Sequence, residues 1–123
     1  LSVRTLVTIV GNTRLYGGAL QPTLQARADD GLLDLCIYTG DHWWQLLPYV
    51  VRTLHGTHAT APAVIYRQVG RLTVASEQPQ VVQVDGEVGG ETPLLVEAVP
   101  AALTVVVPRG LRSPLFTRAG LTA

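Results

Sequence analysis

Residues 29–56 read DDGLLDLCIYTGDHWWQLLPYVVRTLHG, and three kinds of local order follow one another along them. Asp29, Asp30 and Gly31 have the composition of a tight turn. Leu35, Ile37 and Thr39 then alternate with Asp34, Cys36 and Tyr38, the two-residue period of a strand. From Asp41 to Leu54, apolar side chains at Trp43, Leu46, Leu47, Val50 and Leu54 recur at spacings of three and four. That predicts a helix presenting this stripe to a core. Asp41 is placed to cap its start and Gly56 to stop it. Pro48 predicts a kink, or a helix restarted with Pro48 in its first turn.

Outward from this stretch the chain reads mostly as strand. Val3 to Val10 is rich in Val, Leu, Thr and Ile. Val64 to Tyr66, Leu72 to Ala75, Val81 to Val84, Leu94 to Ala98 and Leu103 to Val107 are short segments separated by Gly, Pro or polar clusters. Many short strands around one helix predict a mainly β, antiparallel sandwich or barrel-like domain. A parallel nucleotide-binding sheet needs repeated strand–helix alternation, and one helix does not supply it. Gly17-Gly18 and Gly89-Gly90 lack the third glycine and the following helix of a phosphate loop.

Composition narrows the chemistry. The chain has 123 residues, 47% hydrophobic and 15% charged, the length and content of one folded domain. Nine basic residues balance nine acidic ones, which argues against a nucleic-acid surface. All nine bases are Arg, so Schiff-base chemistry and a phosphate-loop lysine are excluded within this chain. Cys36 is the single cysteine, which excludes an internal disulfide and a multi-cysteine zinc site. No apolar run reaches the roughly 18 residues of a membrane span. The chain begins at Leu1 and contains no Met, from which we expect either a processed chain or a piece of a longer gene product.

Two acidic clusters can carry chemistry. In Asp29-Asp30-Gly31-Leu32-Leu33-Asp34, carboxylates and nearby carbonyls can converge on a hard cation such as Mg²⁺ or Ca²⁺; the plainer reading is an Asx-type turn entering a strand. In Val84-Asp85-Gly86-Glu87-Val88, Asp-Gly signals a tight hairpin, and an ionised Asp85 there can act as a general base. His55 and His58 have metal-ligand spacing but no third ligand nearby, and capping the helix end accounts for them. Trp43 and Trp44 are expected in the core and its rim.

Taken in order, the motifs are more specific than any one of them. Gly11-Asn12, Tyr16-Gly17-Gly18 and the block from Ala26 to Asp34 come first. The helix, His55-Gly56-Thr57-His58 and Asp85-Gly86-Glu87 follow, ahead of a last apolar segment and Pro108. From Val7 to Pro108 this order resembles the C-terminal domain of the diacylglycerol kinase-like lipid kinases, the family that also holds sphingosine kinases and bacterial lipid kinases. Ala19 stands where that family often has a third Gly, Leu24 where it has Pro, and Arg27 where Lys is common.

The resemblance implies that residues 1–108 are an antiparallel β-sandwich with one main helix over about 41–54, the second domain of a two-domain lipid kinase. Residues 109–123, where Gly, Pro and Arg are mixed, match nothing in that family and are expected to be a tail, either an arm onto another domain or disordered. A nucleotide-binding domain with a Gly-Gly-Asp-Gly-Thr-type motif would precede it and bind ATP, so this chain alone is expected to be inactive. The implied reaction is phosphorylation of a lipid hydroxyl, diacylglycerol or similar, in the cleft between the two domains. Asp85 matches the family's general base and Glu87 its acidic neighbour. Asp30, with the carbonyls of Arg27 and Leu32, matches a structural Mg²⁺ site. Asn12 with Gly17 and Gly18 matches a turn facing the cleft. The implied partners are the lipid and the nucleotide-binding domain, in the cytoplasm and not with nucleic acid; peripheral membrane contact and a homodimer stay open. A non-catalytic lipid- or small-molecule-binding sandwich and an NAD kinase-like protein are the competing readings, and the Asp-Asp-Gly-x-Leu-Asp block fits the lipid kinases better.

Overall fold

A computed structural model describes residues 1–117. Its elements are β1 (Thr5–Gly11), β2 (Leu33–Thr39), α1 (Leu46–Leu54), β3 (Val64–Val69), β4 (Arg71–Val74), β5 (Val81–Val84), β6 (Glu87–Glu91) and β7 (Leu94–Glu97). Short 3-10 turns cover Trp43–Gln45 and His58–Thr60. All strand pairs are antiparallel: β2 lies between β1 and β3, β4 pairs with β7, and β5 with β6. The mainly β, one-helix architecture expected from the strand spacing is present.

β2 is the centre of the fold because it is shielded on both sides. Leu33, Asp34, Cys36, Ile37 and Tyr38 are all buried along it. Cys36, Tyr38, Ala61 and Val64 form the core, with Ile9, Leu46, Tyr49 and Tyr66 packed against them. Burying an aliphatic side chain of this size stabilises by about 1.5–3 kcal/mol. The buried carboxylate of Asp34 is not left bare. It accepts hydrogen bonds from the Tyr66 hydroxyl and, at 3.2 Å, from Gln68 Nε2, both on the neighbouring strand.

The helix region follows the sequence in position and departs from it in orientation. Pro48 sits in the first turn of α1, after the 3-10 turn, so the restarted helix is the one that forms. Gly56 ends it at φ +66°, with Gly56 N–H donating to the Thr53 carbonyl (3.2 Å) and Thr57 N–H to the Arg52 carbonyl (2.9 Å). Asp41 does not cap. Its carboxylate pairs with Arg4 at 2.8 Å, and the Gln45 side chain instead accepts the N–H groups of Asp41 and His42. The inward face is Leu46, Tyr49 and Thr53, rather than the stripe through Trp43, Leu47 and Leu54, which are exposed. The reason is polar. Tyr38 donates to Thr53 Oγ1 (2.8 Å), which donates to the Tyr49 carbonyl (2.7 Å), so a hydroxyl that apolar counting ignores sets the rotation. Trp43 and Trp44 accordingly lie outside the core, Trp44 stacked on His42 at 4.2 Å.

Two further expectations are corrected. Leu103–Val107 forms no strand; among the described residues it has no ladder partner, and Val106 is fully exposed. β6, which the sequence does not announce because Gly89 and Gly90 weaken strand propensity, pairs with β5 around a bulge: Gly90 opposes Val82 at φ +119°, and Gly89 has no ladder partner.

Candidate functional site

The β5–β6 hairpin closes through two residues, with Val84 opposite Glu87. Asp85 (φ +49°) and Gly86 (φ +100°) both occupy left-handed backbone. Such a turn favours Asp-Gly, because Gly lacks a Cβ and Asp tolerates this region better than most residues. The hairpin therefore holds an exposed carboxylate at a sharp tip.

That tip meets a loop far away in sequence. Beyond β1 the chain runs through Asn12 to a narrow loop closed by Tyr16 and Leu20, whose backbones exchange hydrogen bonds of 2.8 and 3.2 Å. Gly17 and Gly18 form its end. The Tyr16 hydroxyl donates to Gln83 Oε1 at 2.6 Å and so ties this loop to β5. Between them lies a pocket of about 270 Å³ whose wall includes Asn12, Thr13, Thr23 and Asp85. A second, apolar cavity of about 160 Å³ lies between β1 and α1, walled by residues such as Val7, Leu20, Leu46 and Tyr49. Ile9, Tyr16 and Pro22 line both. Asp85 and Asn12 thus line one chamber while its neighbour offers hydrocarbon, an arrangement suited to an amphiphile.

Of the residues singled out in the sequence, Asp85 and Asn12 share this wall, 73 positions apart. Glu87 starts β6 on the far side of the turn and is exposed. Neither it nor Gly17 and Gly18 line either cavity. Asp30 forms an Asx turn, its Oδ1 accepting the Leu32 N–H at 2.9 Å. Because Gly11 pairs with Asp34, the Asn12 loop and the turn from Arg27 to Leu32 lie at the same end of the β1–β2 pair. Asp29 accepts from the N–H and hydroxyl of Thr117 at 2.7–2.9 Å, and Ala28 N–H donates to the Leu115 carbonyl at 2.8 Å. These bonds bring Leu115 and Thr117, within the 109–123 segment, back onto that turn; residues 118–123 lie outside the described residues. Burial would raise the Asp29 carboxyl, but the Thr117 hydrogen bonds and the Arg27 charge outweigh it and hold it below the usual carboxylate range.

The two histidines have no metal partners. His55 Nδ1 donates to the Val51 carbonyl at 2.8 Å, at the helix end. His58 is fully buried, Nε2 donating to the Pro22 carbonyl at 2.8 Å. Among the described residues no three His, Cys, Asp or Glu side chains gather as a metal site.

Sequence reasoning missed Thr13 and Thr23, and singled out Gly11 only as part of the Gly11-Asn12 motif, without a role. A Cβ on Gly11 would stand 2.6 Å from Thr23 Oγ1, so the strand end approaches Thr23 only as glycine. Thr23 in turn donates to the Thr13 carbonyl at 2.6 Å, shaping the wall beside Asn12. No local pattern announces a contact between residues ten or more positions apart.

Residues 1–107 match the model of the YegS C-terminal NAD kinase beta sandwich-like domain. The chain is 37% identical over 100 residues to a diacylglycerol kinase of Mycobacterium tuberculosis, covering 80% of this chain and 32% of that protein. It is 33% identical over 103 residues to the probable lipid kinase YegS of Escherichia coli, covering 84% and 33%. A diacylglycerol kinase of Staphylococcus carnosus is 26% identical over 108 residues, covering 88% and 35%. The chain spans about a third of the length of these relatives.

Proposed function

The chain belongs to the YegS C-terminal NAD kinase beta sandwich-like domain family, and from that premise we propose that it is the acceptor-side domain of an ATP-dependent lipid kinase. The observation that carries this reading is the position of Asp85, on a pocket of mixed polar and apolar lining that shares a wall with an apolar cavity. The names of the relatives, diacylglycerol kinase and probable lipid kinase, support the substrate class.

In this reading the lipid's hydrocarbon occupies the apolar side and its free hydroxyl faces Asp85. A primary alcohol is a weak nucleophile. The Asp85 carboxylate accepts its proton as the oxygen attacks the γ-phosphorus and the bond to the ADP oxygen breaks. Asn12 offers an amide to orient the acceptor. ATP is bound by a nucleotide-binding domain facing the exposed hairpin tip, and the magnesium accompanying it neutralises phosphate charge. A second, structural Mg²⁺ would be held by Asp30 with the carbonyls of Arg27 and Leu32. One carboxylate and two carbonyl oxygens fit a hard cation, and the Asx turn already orders the loop that bears them. Its role would be to keep that end of β1 and β2 in place, because catalytic groups lose rate steeply when displaced by about 1 Å.

The test is γ-phosphate transfer from labelled ATP by the protein carrying both domains, offered diacylglycerol, a sphingoid base and phosphatidylglycerol, with Asp85→Asn alongside. Transfer to one lipid that falls by at least about a hundredfold in the variant is the expected result. Equal rates for both proteins would remove Asp85 as base. A folded, ATP-binding protein that phosphorylates none of the lipids would favour the binding-only descendant.

A further inference from the structure

The outward side of α1 is apolar where a surface helix is ordinarily polar. Trp43 and Trp44 are 71% and 51% exposed, and Leu47, Val51 and Leu54 are each more than half exposed. The opposite side of the same helix walls the apolar cavity through Leu46, Tyr49 and Val50. From His42 to Ser76 the chain contains no carboxylate. Asp41, just before, is neutralised by Arg4. Arg52 is exposed in the last turn and has no ion-pair partner among the described residues. The face is thus apolar, rimmed by indole rings and carries one net positive charge.

We propose that this face, Trp43 through Leu54, is where the protein sits on an anionic phospholipid bilayer. Indole rings favour the headgroup boundary, where the apolar body and the polar N–H are both satisfied. Leu47, Val51 and Leu54 reach into the acyl boundary, and Arg52 meets anionic headgroups. Charge separates this occupant from a second copy of the chain. A copy docking through the same face would add a second unpaired Arg52 and no carboxylate to meet either one, because residues 42–76 hold none. An anionic bilayer pairs Arg52 with its headgroups, and insertion adds with each apolar group. The placement also gives a lipid a short route, past α1 into the cavity on its other side. That consequence rests on the lipid-kinase reading; the docking itself does not.

Trp43 and Trp44 are the only tryptophans, so the face reports on itself. The full chain is mixed with vesicles of phosphatidylcholine containing phosphatidylglycerol, without ATP, and followed by indole emission and co-sedimentation. A blue shift with vesicles, quenched by brominated acyl chains, is expected. Leu47→Glu should weaken partitioning roughly tenfold or more, with unchanged circular dichroism because the residue is exposed. Asp85→Asn should partition like wild type, so failure of the kinase reading and failure of docking are read separately. No shift and no co-sedimentation would overturn the proposal. So would binding that Leu47→Glu leaves intact, or a blue shift that rises with protein concentration in the absence of lipid, which would assign the face to a second copy. Vesicle binding by this chain but not by the protein carrying both domains would assign it to an interdomain contact, and would equally overturn it.

Discussion

Replacing Thr53 with Val tests what sets the rotation of α1. Thr53 and Tyr38 are 5% and 4% exposed, and the Tyr38 hydroxyl donates to Thr53 Oγ1 at 2.8 Å. Val keeps the shape and removes the oxygen. The Tyr38 O–H is then a buried donor with no acceptor, at a cost of about 1–3 kcal/mol. Burying a methyl group in place of the hydroxyl offsets up to about 0.8 kcal/mol. The expected net loss is about 1–2 kcal/mol, a fall in melting temperature of roughly 4–8 °C for a domain of this size. Tyr38→Phe removes the donor and leaves Thr53 bonded to the Tyr49 carbonyl, so it should cost only about 0.5–1.5 kcal/mol. The double variant removes both groups together, and its cost should fall short of the sum of the singles by about 1 kcal/mol. The assay is urea unfolding followed by far-ultraviolet circular dichroism, because the exposed tryptophans report weakly on the core. Strictly additive effects, or a Thr53→Val protein as stable as wild type, would refute the claim that this relay sets the face α1 buries.

Two further outcomes follow from the same structure. Burial raises the phenol pKa of Tyr38 and of Tyr66, and for Tyr66 the hydrogen bond to Asp34 adds to it. A raised folded-state pKa means the folded protein holds these protons more tightly. Their contribution to stability is therefore complete below the unfolded tyrosine value of about 10 and declines above it. Unfolding midpoints should fall above about pH 10, more steeply in wild type than in a Tyr66→Phe protein; parallel curves would contradict the burial argument. Millimolar Mg²⁺ should raise the melting temperature of wild type and not of Asp30→Ala. Melting unchanged by Mg²⁺ or by chelator in wild type would exclude a structural cation at that turn.

Much of the strand order was legible because strands and turns are written in neighbouring residues. β2 announces itself by two-residue alternation, and the hairpin tip by Asp85-Gly86. Leu103–Val107 shows the limit of that logic. A run of Val fits a pleated surface, but a strand exists only when another chain segment offers N–H and C=O groups beside it, and none does among the described residues. β6 fails in the opposite sense, since pairing with β5 makes a strand of residues that include two glycines, one of them a bulge. The same division runs through the candidate site. Asp85 was visible as a turn residue and Asn12 through the family resemblance, whereas the contact between Thr23 and Gly11 was not, because it closes over intervening chain.

By itself the sequence determined the backbone at each turn: the left-handed pair at Asp85 and Gly86, the Asx bond of Asp30, the glycine stop after α1. In each case the deciding atoms lie within about five residues of one another, so composition is enough. Tertiary structure alone decided that Asp85 and Asn12 share a pocket, that hydrocarbon lies beside it, that α1 turns Thr53 inward, and that Trp43 and Trp44 in the turn before it stay outside the core. Those outcomes depend on strand register and on hydrogen bonds such as Tyr16 to Gln83 and Tyr38 to Thr53. Such bonds join residues 15 and 67 positions apart, and only the closed fold brings them together.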